Sequence, residues 1–159
     1  MSFRFDDSQR EDASNAVLCW LATVDAGGEP STSPKEIWTL AGEDLILIAD
    51  IASAHSLRNL RGHPRACVSF VDVFRQRGWK CYGTAELMDS NVPGFAEAAA
   101  PVLALAGPDY PVRHLIRIRV AHAARIMAPS YRLFPERSIE ARISEAHRAY
   151  GVRPDDPDR

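Results

Sequence analysis

The sequence lacks the features that mark several large classes of protein. No apolar run approaches the ~20 residues that a membrane-spanning helix needs, and the polar, acidic first twelve residues do not resemble a signal peptide. Nineteen Lys and Arg residues against 21 Asp and Glu residues leave a formal charge of -2. Nucleic-acid-binding domains usually carry a basic excess. The sequence therefore predicts neither a membrane nor a nucleic-acid partner.

Cysteine is scarce, and the stock catalytic motifs are missing. Cys19, Cys67 and Cys81 lie far apart and form neither a CxxC pair nor a Cys/His cluster with zinc spacing. There is no GxGxxG, GxxxxGK[ST], HExxH or GxSxG motif. We therefore expect no metal site and three reduced thiols, which are typical of a cytoplasmic protein.

The chain is long and apolar enough for one domain with a core. It has 159 residues, of which 46% are hydrophobic, and this excludes general disorder. We expect a single domain over residues 1–152. Residues 153–159 contain no apolar side chain and are predicted to be a frayed tail.

Six segments have the composition or the alternation of β-strands. They are residues 17–24, 31–40, 45–49, 66–71, 79–87 and 116–120. The first three are joined by tight turns and predict an antiparallel meander. A six-stranded sheet tends to close on itself, so the expected fold is a small α+β protein built on a six-stranded antiparallel barrel with flanking helices. His122 continues the alternation of the last strand and is expected to be a core histidine.

Four helices are expected around this barrel. The first is a short helix at residues 7–12, where Ser8 and Glu11 have the spacing of a capping box, and three others follow. One of these three is also short and covers residues 53–64. A second covers residues 91–106, with Asn91 as its N-cap and Pro101 expected to kink or split it. The last begins after Ser138 and ends at Gly151.

A strand that runs into a helix start, at residues 48–60, has the chemistry of an anion site. Free backbone N–H groups and the helix dipole favour negative charge at such a start. Ser53 and Ser56 add hydrogen-bond donors, and His55 and Arg58 add donors or positive charge. Ordinary helix capping would explain one of these serines without any ligand.

Several strings, taken in order, resemble the pyridoxamine 5'-phosphate oxidase-like FMN-binding split-barrel family. They are LATVDAGGEP at 21–30, SPK at 33–35, NLRGHPR at 59–65 and YGTAEL at 82–87. The resemblance covers roughly residues 17–88. It implies a split β-barrel and a homodimer that holds FMN in a cleft between its subunits.

The resemblance also implies which residues bind FMN. The flavin ring is expected against the second strand and the end of the third, and the phosphate at the following helix start. The residues so implied are Ser33, Pro34, Lys35, Glu36, Trp38, Ile48, Ala49, Asp50, Ser53, His55, Ser56, Arg58 and Asn59, together with Lys80 on the fifth strand. No catalytic side chain is implied.

Each of these assignments has an ordinary structural alternative. Lys35 and Lys80 are either solvent-facing or close to the flavin edge, where positive charge would stabilise the reduced anion. Glu36 and Asp50 either accept hydrogen bonds from FMN or lie on the surface. Trp38 stacks on the ring or belongs to the core, and His114 is expected to be a surface or capping residue.

The expected function is FMN-dependent oxidation or reduction of a small molecule. Genuine pyridoxamine-phosphate oxidases carry a C-terminal segment rich in Arg, His and Trp, whereas residues 132–137 here contain no Trp. The sequence therefore does not predict oxidation of pyridoxamine phosphate. Two alternatives remain, a flavin-binding module without turnover and a haem-binding relative of the same fold.

Overall fold

The computed structural model describes residues 2–153. Its elements, in chain order, are α1 (Asp7–Ser14), β1 (Cys19–Val24), β2 (Pro30–Lys35), β3 (Trp38–Ala41), β4 (Leu45–Asp50), α2 (Ala54–Gly62), β5 (Arg65–Asp72), β6 (Arg77–Asp89), α3 (Phe95–Ala106), β7 (His114–Met127), α4 (Ser130–Leu133) and α5 (Ile139–Tyr150). The expected tail at 153–159 lies outside the described residues, apart from Arg153.

One antiparallel sheet contains seven strands in the order β2-β1-β5-β6-β7-β4-β3. Its two edge strands, β2 and β3, are consecutive in the chain, so the sheet curls until its ends meet. The α+β split-barrel prediction is confirmed, but the barrel has seven strands. The expected strand at 31–40 divides because Lys35 and Trp38 are both buried, and residues three apart cannot face the same side of one regular strand.

The barrel interior is the larger of two apolar cores. β5 alternates regularly between buried and half-exposed residues along most of its length, as expected for a strand with one face inside. Val68 and Phe70 from β5 meet Leu21 from β1 and Ile116 and Ile118 from β7, all at most 1% exposed.

A second core lies outside the barrel, beneath α3. Phe95, Ala99 and Val102 of this helix pack against Leu47 of β4 and Leu115 of β7. Burying these side chains holds α3 across the outer side of β4. This packing also brings the C-terminal end of α3 to the edge of the barrel, where the candidate site lies.

His122 is exposed, and its expected place in the core is wrong. The register between β6 and β7 shifts at Tyr82 and Gly83, so one extra residue of β7, Ala121, is left without a partner. Such a bulge reverses the inward and outward alternation beyond it. His122 therefore points outward and stacks on Tyr82, with ring centroids 4.7 Å apart. Gly83 is needed there because a Cβ would collide with the carbonyl oxygen of Arg119.

Two details of α3 also differ from the expectation. The N-cap is Gly94, with φ 83°, and Asn91 instead donates to the side chain of Asp89. The helix continues through Pro101. Pro101 has no N–H, so the carbonyl of Glu97 lacks its usual hydrogen-bond donor in the helix. Because Glu97 lies on the exposed side of the helix, water can supply that hydrogen bond.

Helix α5 begins and ends as the sequence predicts. The Ser138 hydroxyl accepts a 3.2 Å hydrogen bond from the amide of Ala141, and Gly151 ends the helix with φ 68°. These two residues supply an N-cap hydroxyl and a left-handed C-cap, the signals from which the helix was predicted.

The three cysteines are free, with Cys19 and Cys81 buried and Cys67 half-buried. Burial raises the pKa of Cys81 to about 12, so this thiol stays protonated at neutral pH. No helix in residues 2–153 combines the length and the apolar character needed to cross a bilayer. Within the same residues, no group of three or more His, Cys, Asp or Glu side chains is placed to hold a metal ion.

Candidate functional site

An open cleft of about 590 Å³ lies where β2 leaves the barrel. Its volume falls in the range of ~300–1,000 Å³ that is typical of small-molecule sites. The lining residues are Leu18, Pro34, Lys35, Glu36, Ile37, Ala49, Ile51, Ala52, Ser53, Leu105 and Tyr110. Five of them were expected from the sequence: Pro34, Lys35, Glu36, Ala49 and Ser53.

Lys35 carries the positive charge of this cleft. Its residue is only 6% exposed, and its Nζ donates a hydrogen bond to Ser53 Oγ. Burial lowers the pKa of Lys35, and the charge of Asp50 opposes that lowering. The solvent-facing alternative for Lys35 is therefore wrong, and the cleft contains a partly desolvated amine.

Ser53 places this amine at the N-terminus of α2. Ser53 is the N-cap of that helix, but among the described residues its side chain makes no capping hydrogen bond. Its hydroxyl instead accepts a hydrogen bond from Lys35. The first N–H groups of a helix carry partial positive charge. The ammonium group and the helix start thus converge on one point, which we call the Lys35–Ser53 corner.

Asp50 lies next to the Lys35–Ser53 corner and contacts both the corner and His114. Its carboxylate is 2% exposed, and Oδ1 accepts a 2.9 Å hydrogen bond from the amide of Ser53. Its Oδ2 lies 3.2 Å from Nδ1 of His114. The surface alternative for Asp50 is therefore wrong. His114, which was expected to be a surface or capping residue, is half-buried, with 19% of its side chain exposed.

The other residues expected on α2 lie beside the cleft rather than in its lining. His55 and Arg58 are exposed, whereas Ser56 and Asn59 are buried. The Asn59 amide donates a 3.0 Å hydrogen bond to Thr23 of β1. This contact fixes the helix to the barrel and so sets the direction of its N-terminus.

Three further residues expected around the flavin ring, Ser33, Trp38 and Ile48, do not line this cleft. Ile48 is fully buried in the barrel core, and Ser33 is half-buried on β2. Trp38 packs against Phe70, with ring centroids 5.1 Å apart, and it also lines a neighbouring cleft of about 480 Å³. The two clefts share Glu36, Ile37 and Leu105 and form one groove.

Lys80 lies on a different surface. It sits in the middle of β6, is exposed and is paired with Ser69 on one side and Ala124 on the other. Directly opposite residues of neighbouring strands share a face. The same face carries Trp20, which is opposite Ser69. We call the surface formed by Trp20, Ser69, Lys80 and Ala124, with Pro34 at its edge opposite Trp20, the outer face.

Sequence reasoning missed the walls of the cleft. Leu105 comes from the end of α3 and Tyr110 from the loop that follows, and both are more than half exposed. No local pattern distinguishes them from ordinary surface residues. They reach the cleft only because the second apolar core holds α3 against β4.

Comparison with known proteins identifies the family. The family model described as pyridoxamine 5'-phosphate oxidase matches residues 5–127, which is well over half of the chain. A comparison with curated protein sequences finds no match.

Solved structures share the fold at low sequence identity. HupZ of Group A Streptococcus is 22% identical, with a TM-score of 0.66 over 78% of this chain and 95% of its own. An FMN-binding protein from Syntrophomonas wolfei is 16% identical, with a TM-score of 0.62 over 77% of this chain and 89% of its own. A structure described as an F420 reductase is 15% identical, with a TM-score of 0.57 over 76% of this chain and 98% of its own. At these identities the likeness shows the fold alone, and the family match carries the assignment: the chain belongs to the pyridoxamine 5'-phosphate oxidase family of split-barrel proteins.

Proposed function

We propose that this protein binds FMN in the cleft and uses it as an oxidoreductase. The observation that carries the proposal is the Lys35–Ser53 corner, where a buried ammonium group meets a serine hydroxyl at a helix N-terminus. Each of these groups favours a phosphate, and together they form a site for its two negative charges.

The remainder of the cleft suits a flat, largely apolar ring. Leu18, Ile37 and Leu105 provide aliphatic walls, and Tyr110 provides an aromatic one. Small-molecule sites commonly combine such walls with a few polar groups that fix orientation. One structural neighbour is described as an FMN-binding protein, which agrees with this choice of cofactor.

When bound, FMN supplies hydride or electron transfer, so the protein needs few catalytic side chains of its own. In this proposal the chain binds the phosphate, orients the ring and leaves one side of it open to a small-molecule substrate or electron donor. The absence of stock catalytic motifs in the sequence fits that division of roles. The three free thiols fit a cytoplasmic location.

We further propose that the active form is a homodimer that pairs through the outer face. β1 and β5 lie inside the sheet, yet Trp20 on their outward side is 46% exposed. An exposed large aromatic in the middle of a sheet is typical of an interface. Pro34 belongs both to the edge of this face and to the cleft, so a second copy would border the FMN site.

The proposal is tested by measuring FMN affinity with calorimetry and visible spectroscopy. We expect wild type to bind FMN, and the substitution Lys35→Met to weaken binding about ten- to hundredfold, because it removes a hydrogen bond to a charged group. The affinity for riboflavin, which has no phosphate, should change much less on the same substitution. Arg148→Met is the matched control, since it removes one positive charge from α5, which contributes no residue to the cleft.

The same samples separate the alternatives. Binding that Lys35→Met leaves unchanged would place the phosphate elsewhere, and no flavin binding at all would refute the proposal. Reduction of bound FMN by NADH or NADPH would show an enzyme, whereas a bound but inert flavin would favour a sensing module. A Soret band in the purified protein would instead favour the haem-binding alternative.

A further inference from the structure

His114 connects three strands at the base of the cleft. As the first residue of β7, it lies directly opposite Asp50 of β4 on one side and Asp89 of β6 on the other. Its Nδ1 is 3.2 Å from Asp50 Oδ2, and its Nε2 is 3.4 Å from Asp89 Oδ2. The imidazole ring therefore bridges two carboxylates.

Each carboxylate uses its other oxygen to hold a loop. Asp50 Oδ1 accepts from the amide of Ser53, and Asp89 Oδ1 accepts from the amide of Asn91, both at 2.9 Å. A continuous chain of polar contacts thus runs from Asp89, whose side chain is 48% exposed, through His114 and Asp50 to the Lys35–Ser53 corner.

Charge determines which form of His114 suits this geometry. The ring is hydrogen-bonded to Asp50, and its Nε2 lies within ion-pair distance of Asp89. The imidazolium form places a positive charge between these two carboxylates, whereas a neutral imidazole, which has a single N–H and no charge, compensates neither of them. The amide of Asn91 lowers the pKa of Asp89, and the charges of His114 and Arg61 lower it further, which keeps that partner ionised.

We propose that His114 is a positioning residue that tunes the charge of the Lys35–Ser53 corner through Asp50. This inference rests on the proposed function, in which the corner takes the phosphate of FMN. Protonated His114 balances the charge of Asp50, so the Lys35 ammonium group attracts an anion more strongly. Neutral His114 leaves Lys35 as the balancing charge, which weakens that attraction.

The charged groups around this array are few. Asp50 faces His114 from β4 and Asp89 faces it from β6. Lys35 acts on Asp50 from β2, and Arg61 acts on Asp89 from α2. Because histidine is the side chain that most readily changes its charge near neutral pH, we expect FMN affinity to depend on pH through the protonation of His114.

The test compares wild type with His114→Gln, which is always neutral, and His114→Arg, which is always charged. FMN dissociation constants are measured between about pH 5.5 and 8.5, the range that brackets histidine titration. The FMN dissociation constant of the Gln variant, divided by that of wild type, should be near one at high pH and rise about three- to tenfold at low pH. An effect of this size is expected for one charge acting across a partly buried site. The ionisation of the FMN phosphate cancels in this ratio.

Two controls separate a charge effect from a structural one. The FMN dissociation constant of His114→Arg divided by that of wild type should be near one at low pH and fall below one at high pH, and riboflavin should show no pH-dependent ratio. A ratio for FMN that does not change with pH, or an equal ratio for riboflavin, would overturn the proposal.

A measurement without FMN keeps this test independent of the proposed function. The chain contains two lysines, so labelling with ¹³C,¹⁵N-lysine yields two side-chain signals, and Lys80→Arg assigns them. The Lys35 signal of wild type should shift at the pH at which the His114 ring titrates. If it does not shift, the coupling is absent, even when FMN binds. If it does shift while FMN fails to bind, the coupling stands and the proposed cofactor is wrong.

Discussion

The two lysines of this chain occupy contrasting places in one sheet. Lys35 ends the edge strand β2, is 6% exposed and lies within reach of the charge of Asp50. Lys80 lies in the middle of β6 and points outward from an exposed position. Burying a charge is unfavourable unless partners compensate for the lost water. At the cleft, Asp50 compensates for the water that Lys35 loses on burial. On the outer face, Lys80 stays in contact with water and needs no such partner.

This difference makes Lys35 a stronger candidate for a ligand-binding residue than Lys80. A titratable group that is desolvated, paired with a specific charge and placed in a cleft is a candidate functional residue. Lys35 meets all three conditions. Lys80 meets none of them, although the resemblance implied both lysines equally.

The largest expected effect comes from removing the charge that faces Lys35. Asp50→Asn keeps the shape of the side chain but removes its charge, so we expect the free energy of unfolding to fall by about 2 kcal/mol. Asp44→Asn is the control, because Asp44 pairs with the largely exposed Arg119 at 2.8 Å and should change stability by less than about 1 kcal/mol. Urea unfolding at neutral pH measures the free energy of unfolding of both variants. Equal losses of stability in the two variants would contradict the difference expected between the cleft and the exposed surface.

The pH dependence of stability should also distinguish the two lysines. Because the pKa of Lys35 is lowered in the folded state, the unfolded chain binds more protons between that pKa and the ordinary value of about 10.4. Stability contributed by this group is therefore lost as pH falls through the folded pKa and returns as pH rises.

Urea titrations across this alkaline window provide the measurement. The free energy of unfolding of wild type should rise relative to Lys35→Met, by about 1.4 kcal/mol for each unit by which the pKa is lowered. Lys80→Met retains Lys35, so its free energy of unfolding should show the same rise as wild type. Loss of the rise in Lys80→Met rather than in Lys35→Met would reverse the assignment of the buried lysine.

A smaller effect on folding, but a clear effect on assembly, is expected at Trp20. The substitution Trp20→Glu places a charge on the outer face and removes an indole that is 46% exposed, so monomer stability should fall by about 1 kcal/mol. If the outer face forms the dimer, light scattering should show dimeric wild type and monomeric variant. A monomeric wild type at micromolar concentration with FMN bound would refute the proposed dimer.

The smallest effect is expected at Lys80 itself. Lys80→Met removes an exposed charge and should change the free energy of unfolding by less than about 0.5 kcal/mol. Its effect on FMN affinity should be well below that of Lys35→Met. Equal losses of FMN affinity would show that both lysines bind the cofactor and would remove the contrast between the two regions.

Much of the site could be predicted because it lies on one short stretch of chain. The β4 strand, the following turn and the start of α2 bring Asp50 and Ser53 together within four residues, and hydroxyl-rich helix starts have a local signature. His114 had no such signal. It lies 64 residues away from Asp50 in the sequence and meets it only through the register of β4 and β7.

Local patterns were enough to predict the antiparallel strands and the capped helix α5, and the ordered strings were enough to identify the family, because alternation, turn residues and caps act over a few neighbouring residues. Long-range packing sets which lysine is buried, makes the expected strand at 31–40 break after Lys35, and turns His122 outward. These outcomes depend on where the sheet curls, where a bulge reverses its alternation and which strands become neighbours. Such features are set by packing between distant segments, and no local pattern records them.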